Sequence, residues 1–329
     1  MRTGYFPHME WAKAHTDDPL PIELGFSGAA RPRGAPWREH GRGEPETVAR
    51  VAKKYGVQRD RVHLVGGTSL ANFIAIAACC DPGETVAVET PRYAPLAQIP
   101  LSLGARVVDV KRSRAGRLGR IPRRAKLVVV SDPHNPTGRL LDKRDWARLS
   151  AAANRGAVVV VDEVYRDVQK KPGRVAARRH DRFVTTGSFT KGYGLGALRL
   201  GWIFAHPDLL AETRRVDNLV AVECATPSYL QLKRVWPRLE RLRRRTMAPV
   251  RENVATLQSL GLDFVEPQAG LTAFVHVGDG DAVADELETQ GVGVARGSFF
   301  EAPAYVRVFL GANPTLFRRG ASALAALLA

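Results

Sequence analysis

The sequence has few cysteines and no long apolar segment. Its three cysteines are the adjacent pair Cys79 and Cys80 and the solitary Cys224, an arrangement that suggests no disulfide framework. The longest apolar-rich run, residues 70–80, is interrupted by Asn72 and falls short of the roughly 20 residues that a membrane-spanning helix needs. The first residues, MRTGYFPHMEWAKAH, mix His, Glu and Pro where a secretory signal requires a continuous apolar core. We therefore expect a cytoplasmic protein with no membrane partner.

Acidic residues are scarce relative to basic ones. The chain has 49 Lys and Arg against 33 Asp and Glu, which gives a net charge of +16 and a pI near 10.3. Such a charge suits a nucleic-acid-binding protein or an enzyme of acidic metabolites. The basic residues are, however, spread along the whole chain, with no helix-turn-helix, zinc-finger or RNA-binding motif among them. We interpret them as a solvated surface and expect no nucleic-acid partner.

Short β-branched segments alternate with helix-like segments in the first two thirds of the chain. Their apolar residues stand at consecutive positions, which is typical of parallel strands covered on both faces. Between two of them, Asp142 is suited to cap a helix that runs through Trp146 and Leu149 and stops at Gly156. The segments expected to form strands are TVAVE (85–89), RVVDV (106–110), AKLVVVS (125–131), GAVVVVDE (156–163), RFVTTGS (182–188) and LGWIFA (200–205).

The character of the sequence changes after Gly201. Charged helical segments follow, with breaks at Pro227 and Pro237, and then two strand-like segments at 270–277 and 305–311, each followed by a helical one. A composition of this kind predicts a large α/β domain followed by a smaller α+β domain. The expected division is an N-terminal segment packed against the smaller domain (1–45), the large domain (46–215) and the small C-terminal domain (216–329).

Four motifs stand at the ends of expected strands, where open α/β sheets bind their ligands. A Gly-Gly-Thr turn that opens a helix offers backbone N–H groups to a phosphate, and a Lys in a Gly-rich turn suggests a reactive amine. A strand that ends in Asp offers an acid, but no His or Cys has metal-ligand spacing beside it, so we expect no metal. The four motifs are VGGTSLANF (65–73), SDPHNPTG (131–138), VVVVDEVYRD (158–167) and GSFTKGYGLGALRLGW (187–202).

In this order the motifs resemble the fold type I aminotransferases, which use pyridoxal phosphate (PLP). The resemblance extends from about residue 66 to residue 201 and resumes near the C-terminus. It implies an α/β protein of the PLP-dependent transferase fold type I, with a mostly parallel seven-stranded sheet and a smaller α+β domain. GYGLGALRLG (192–201) is closer to the histidinol-phosphate-type branch. The implied reaction moves an amino group between an amino acid, or an amino-acid-like amine, and a 2-oxo acid.

The resemblance also implies which residues contact the ring of PLP. Lys191 would form a Schiff base, for which it needs an unprotonated amine, and would then move the α-proton of the substrate. Asp162 would face the pyridine nitrogen and keep it protonated. Tyr165 and Asn135 would donate hydrogen bonds to the phenolate oxygen, and the ring of Tyr93 would stack on the cofactor.

By the same resemblance, other residues would bind the phosphate and the substrate. Arg307, on the expected strand YVRVF, would bind the α-carboxylate of the substrate through a two-pronged pair that Lys does not reproduce. Asn135 and Gly25 would be further substrate-binding residues. The expected phosphate-binding residues are Gly67, Thr68, Ser188 and Arg199, of which the last supplies the charge.

Three other interpretations stay open at the level of sequence. SFTK (188–191) also matches the Ser-x-x-Lys motif of β-lactamases and penicillin-binding proteins, but the Ser-Asp-Asn and Lys-Thr-Gly motifs of that fold are absent. A PLP-dependent decarboxylase, β-lyase or racemase would share the cofactor residues, although Arg307 favours retention of the carboxylate. A regulator on the same fold would usually append a DNA-binding module, for which the sequence before Gly25 leaves no room.

The sequence departs from the family pattern near its N-terminus. The chain is shorter than typical members, and the segment 34–48 lacks the Tyr that commonly reaches the phosphate of the partner subunit. Trp37 or His40 would substitute for that Tyr, or the contact would be absent. The segment LGFSG (24–28) stands where a backbone loop usually covers the substrate. Because the family builds each active site from two subunits, the resemblance implies a homodimer that binds small amino acids and 2-oxo acids.

Overall fold

The computed structural model describes residues 43–329, together with Pro7. In this part of the chain, a seven-stranded and a three-stranded sheet organise the fold. None of its helices has the length and apolarity to cross a membrane. The predictions for Gly25, Trp37 and His40 lie outside the described residues, as does most of the N-terminal segment.

The larger sheet is the mostly parallel sheet that the resemblance implied. Its strands are β1 (Val62–Val65), β2 (Thr85–Thr90), β3 (Arg106–Lys111), β4 (Leu127–Ser131), β5 (Val158–Asp162), β6 (Phe183–Ser188) and β7 (Gly201–Phe204). They lie in the order β1-β7-β6-β5-β4-β2-β3. Five neighbouring strands pair in parallel, in the order β3, β2, β4, β5 and β6. Strand β7 is antiparallel to both β6 and β1. Strand β1 was not predicted, because it is only four residues long and His63 interrupts its apolar pattern.

Helices bury both faces of this sheet. They are α1 (Glu44–Tyr55), α2 (Thr68–Ala78), α3 (Pro95–Ser102), α4 (Lys143–Asn154), α5 (Thr190–Tyr193) and α6 (Pro207–Val220). Val158 and Val160 of β5 pack in one core cluster with α2, α3 and α6, whereas Val159 and Val161 pack in a second cluster with α4. Alternate side chains of a strand face opposite sides, so burial of both faces explains why consecutive positions are apolar.

Helix α4 begins at the predicted cap. The Asp142 side chain accepts hydrogen bonds from the N–H groups of Arg144 and Asp145, and Asp145 accepts one from the Asp142 N–H in return. This capping box satisfies N–H groups that have no partner within the helix. Gly156, in the left-handed region with φ of 98°, ends the turn that leads into β5.

The smaller sheet is antiparallel and lies in the C-terminal part of the chain. Its strands are β8 (Thr272–His276), β9 (Ala295–Arg296) and β10 (Tyr305–Phe309), in the order β8-β10-β9. The helices of this part are α7 (Thr226–Val235), α8 (Leu239–Met247), α9 (Val250–Ser259), α10 (Gly280–Thr289) and α11 (Pro314–Leu328). Helices α9, α10 and α11 share a core cluster with this sheet. The expected domain boundary at residues 215 and 216 falls within α6, and the division into domains remains a prediction.

Candidate active site

The sequence motifs gather at the carboxyl edge of the large sheet. Asp162 is the last residue of β5 and Ser188 the last residue of β6, while the segment that contains Asn135 follows β4 directly. Lys191 lies in the short helix α5, which begins two residues after β6. Parallel strands bring their carboxyl ends to the same edge, so residues that are far apart in sequence become neighbours there.

Asp162 is buried and is bound through both carboxylate oxygens. Its Oδ1 accepts a hydrogen bond from the Val164 N–H at 2.9 Å, and its Oδ2 accepts one from Asn72 Nδ2 at 2.8 Å. Burial raises the pKa of Asp162 to about 6, against the hydrogen bond from Asn72, which lowers it. Each oxygen thus has one protein donor and a remaining lone pair for a ligand cation.

Lys191 is exposed as a whole residue, but its amine is partly buried and has a lowered pKa. Partial burial of the amine, and next the positive charge of Arg307, lower the pKa of Lys191, while the carboxylate of Asp162 acts in the opposite direction. A lowered pKa increases the fraction of unprotonated amine near neutral pH, which is the form that attacks a carbonyl carbon. The position and charge environment of Lys191 therefore suit a nucleophile.

Arg307 lies half-buried on β10 and contacts an amide and an aromatic ring. Its Nη1 donates a hydrogen bond to Asn135 Oδ1 at 3.0 Å, and its guanidinium carbon lies 4.7 Å from the centroid of the Phe300 ring. Burial lowers the pKa of Arg307, and the neighbouring Tyr165 and Tyr93 oppose that shift. No carboxylate of residues 43–329 forms an ion pair with Arg307, and a half-buried guanidinium of this kind suits an anionic ligand.

Two of the tyrosines that the sequence analysis assigned to the site, Tyr165 and Tyr93, act on the charge of Arg307. Tyr165 is 6% exposed and lies in the turn after β5. Burial raises its pKa, Arg307 lowers it, and Asp162 and Tyr93 raise it further, so these three residues act on Tyr165 electrostatically. Tyr93 is half-buried and packs against the core cluster beneath α3.

The hydroxyl groups of the expected phosphate site lie at the start of α2. Thr68 is the first residue of this helix, and its Oγ1 donates to Ser188 Oγ at 2.7 Å. Ser188 Oγ also accepts a hydrogen bond from the Thr190 N–H at 3.3 Å. The first N–H groups of a helix have no partner within it and bear partial positive charge, so hydroxyl and amide donors converge at this point.

Arg199 supplies the positive charge beside this helix start. It adopts a left-handed backbone conformation with φ of 46°, and its Nη2 donates to the Gly66 carbonyl at 2.9 Å. Gly67 has φ of 97°, and a Cβ at that position would lie 2.8 Å from Arg199 Nη2. Only glycine therefore allows the guanidinium to approach this turn.

This donor set fits PLP. A phosphate dianion needs several donors and a positive charge, and helix N–H groups, two hydroxyls and a guanidinium are present together. A protonated pyridine nitrogen needs a carboxylate, which Asp162 provides near the carboxyl end of β5. Among residues 43–329, no three His, Cys, Asp or Glu side chains converge as a metal ion would require.

Three residues of the site were not predicted from the sequence. Asn72 entered the sequence analysis only as an interruption of an apolar run, and Thr186 only as part of a strand. His134 is 1% exposed; its Nε2 donates to the Pro91 carbonyl at 2.8 Å and its Nδ1 accepts from Thr137 Oγ1 at 2.7 Å. It thereby joins the segment of Tyr93 to the segment of Asn135. A polar residue within an apolar helix, as at Asn72, was the one available signal.

Comparison with known proteins identifies the family and the fold of this chain. The family model "Aminotransferase class I and II" matches residues 39–324. The chain is 29% identical over 280 residues to an aspartate aminotransferase of Thermococcus kodakarensis, covering 80% of this chain and 74% of that protein. It is 29% identical over 283 residues to histidinol-phosphate aminotransferase 1 of Cupriavidus pinatubonensis, covering 81% and 74%. In fold it is similar to a PLP-dependent aminotransferase from Streptococcus suis, with a TM-score of 0.81 at 22% identity over 99% of this chain and 88% of that one.

Proposed function

Because the chain belongs to the class I and II aminotransferases and is thus a PLP-dependent transferase, we propose that Lys191, Asp162 and Arg307 carry its reaction. The observation that supports this proposal is the grouping of an amine, a buried acid and a guanidinium that has no carboxylate partner within residues 43–329, at one edge of the sheet. Burial lowers the pKa of Lys191, Arg307 lowers it further and Asp162 raises it, so both charged groups act on the Lys191 amine. The β-lactamase interpretation is wrong, since the fold is that of the aminotransferases.

When bound, PLP supplies an aldehyde that combines with amines and a ring that accepts electrons from the α-carbon of an amino acid. We propose that the helix start at Thr68, with Ser188 and Arg199, holds its phosphate. Asp162 would pair with its ring nitrogen. Tyr165 would donate to its phenolate oxygen. The amide nitrogen of Asn135 would donate to the same oxygen, because the amide oxygen of Asn135 already accepts from Arg307.

Lys191 has two tasks in this proposal. Its Nζ would hold the coenzyme until the amino group of the substrate takes its place. The freed amine takes the proton from the α-carbon as a general base and later returns a proton as a general acid. Both tasks need an amine that is unprotonated for part of the cycle, which the lowered pKa favours.

Arg307 would determine how the substrate lies. A guanidinium binds a carboxylate through two parallel hydrogen bonds, so Arg307 would fix the α-carboxylate and leave the α-hydrogen for Lys191. Retention of the carboxylate distinguishes transamination from decarboxylation. The relatives are named as aspartate and histidinol-phosphate aminotransferases, and we propose an amino acid or similar amine as donor and a 2-oxo acid as acceptor.

We also propose a cytoplasmic homodimer. The proposal of a dimer follows from the family resemblance, in which two subunits build each active site. The location is supported by the three cysteines, none of which forms a disulfide bond within residues 43–329, as is typical of a reducing compartment. Sedimentation equilibrium of the purified protein tests the dimer, because a single species of monomer mass would contradict it.

The decisive experiment is spectroscopic. Protein saturated with PLP is expected to show the visible absorption band of lysine-bound coenzyme. Lys191→Ala should lose it, because Lys191 is the lysine whose charge acts on Asp162. Lys126→Ala, a change at an exposed position, is the control and should keep the band. Added amino acid should then yield a 2-oxo acid without carbon dioxide. A band that survives in Lys191→Ala, or release of carbon dioxide, would contradict the proposal.

A further inference from the structure

A line of buried polar groups joins α2 to β6. Thr68 and Asn72 are one turn apart on α2, about 6 Å along the helix axis. Ser188 and Thr186 are two residues apart on β6, about 6.6 Å along the strand and on the same face. These spacings match, so the two helix residues meet the two strand residues in register. The pairs are Thr68 with Ser188 at 2.7 Å and Asn72 with Thr186 at 2.5 Å.

The second pair continues into the acid of the site. The Thr186 hydroxyl donates to Asn72 Oδ1, and Asn72 Nδ2 donates to Asp162 Oδ2 at 2.8 Å. Thr186 is also the strand partner of Asp162 in the pairing of β5 with β6. Thr186, Asn72 and Asp162 are 0%, 1% and 4% exposed, so water does not compete for these groups. An ionised carboxylate only accepts hydrogen bonds, which sets the orientation of the amide.

We propose that Asn72 is a positioning residue that keeps Asp162 ionised and aligned with the ring nitrogen of PLP, and that Thr186 holds the Asn72 amide in the donating orientation. This inference rests on the proposed function, in which Asp162 pairs with that nitrogen. It concerns side chains that touch neither substrate nor coenzyme.

The electrostatic surroundings explain why Asp162 needs such support. Burial favours its protonated form and raises its pKa to about 6, and Glu89 on β2 acts in the same direction. The groups that favour the anion are the Asn72 amide, the Val164 N–H and, more weakly, Lys191 on α5. A protonated acid would offer its own proton instead of accepting the one on the ring nitrogen, and the ring would draw electrons less strongly.

Four variants separate the roles of Asn72 and Thr186. Asn72→Leu removes the donor to Asp162 and leaves the Thr186 hydroxyl without its acceptor. Thr186→Val removes only the hydroxyl at nearly constant shape, so the amide is free to rotate. Thr186→Ser retains the hydroxyl. Thr185→Val is the matched control, because Thr185 is a buried neighbour on β6 whose hydroxyl accepts from the Ala177 N–H and lies away from Asp162.

The experiment measures the nuclear magnetic resonance shift of an isotopically labelled PLP ring nitrogen, together with the Kd of PLP. In the wild-type protein the shift should be that of a protonated pyridine. Asn72→Leu should move it towards the unprotonated value and weaken PLP binding about tenfold, the loss typical of one hydrogen bond to a charged group. Thr186→Val should change both readouts in the same direction and to a smaller extent.

The outcomes separate this inference from the proposed function. Wild-type shifts in Thr186→Ser and Thr185→Val, with displaced shifts in Asn72→Leu and Thr186→Val, support the inference. An unchanged ring-nitrogen shift in Thr186→Val and Asn72→Leu would overturn it, even if both variants were less stable, because Asn72 would then act through packing alone. Failure of wild-type protein to bind PLP would instead overturn the proposed function. If Asn72→Leu does not fold, the comparison of Thr186→Val with Thr186→Ser decides.

Discussion

Among the single residues of this site, Arg307 differs from a structural arginine because no carboxylate of residues 43–329 pairs with it. Arg307 is half-buried, yet its partners among the described residues are the oxygen of the Asn135 amide and the face of the Phe300 ring. In contrast, Arg112 is buried and pairs with Glu89 at 2.6 Å, as a structural guanidinium does. A partly desolvated charge without a counter-ion is costly, and a bound anionic ligand would offset that cost at Arg307.

The Arg307→Lys variant tests this interpretation. Lysine retains the positive charge but loses the planar fork, the hydrogen bond to Asn135 and the contact with Phe300. We expect the KM for the amino acid to rise about tenfold or more, while the visible band of bound PLP persists. Arg120→Lys, at an exposed position, should leave KM unchanged. An unaltered KM in Arg307→Lys would show that the α-carboxylate binds elsewhere.

At the scale of secondary structure, α2 combines two kinds of support for the site. Its first turn presents donors at Thr68, and its second turn presents Asn72 to Asp162. The apolar residues of this helix pack in or against the core cluster, so packing fixes both groups in position. Helix α4 has a different task, because it connects β4 to β5 and thereby sets the position of the strand that ends in Asp162.

The stability of α4 is expected to depend on its capping box. Replacing Asp142 with Ala removes the acceptor for the N–H groups of Arg144 and Asp145, and loss of such a cap costs about 1 kcal/mol. Urea unfolding should show this decrease in the free energy of unfolding, with the PLP absorption band unchanged. Lys143→Ala, at the next exposed position, is the control; equal losses in the two variants would contradict a capping role.

At the scale of the whole molecule, the site depends on acids that are buried at the carboxyl edge of the large sheet. Burial raises the pKa of Asp132 and Asp162 to about 6 and that of Glu163 to about 7. The N–H of Leu141 and the guanidinium of Arg166 bind two of these acids. Folding therefore imposes a cost on their ionisation, which makes stability depend on pH.

We expect the free energy of unfolding of cofactor-free protein to decrease as the pH rises from about 4 to about 6. The pKa of Asp132 is raised from 3.8 to about 6 in the folded state, so the stability gained from its protonated form is complete below the unfolded value and is lost as the pH rises through the folded one. Asp132→Asn should remove about 2 to 3 kcal/mol of that decrease, because the amide oxygen still accepts from Leu141. Urea unfolding at several pH values tests this, with exposed Asp208→Asn as control; parallel curves for Asp132→Asn and wild type would contradict it.

Most strands of the large sheet, the start of α4 and the family of this protein could be predicted from the sequence. Consecutive β-branched residues required strands covered on both faces, the acid of Asp142 and the glycine at 156 bounded a helix, and the order of the four motifs identified the family. These are local properties, since propensity, capping and turn chemistry depend on a few neighbouring residues. Tertiary structure alone decided the pairing of β1 with β7, the partners of Arg307 and the contact of Asn72 with Asp162. Each of these depends on which side chains lie together after elements far apart in sequence have packed, and that arrangement has no local signal.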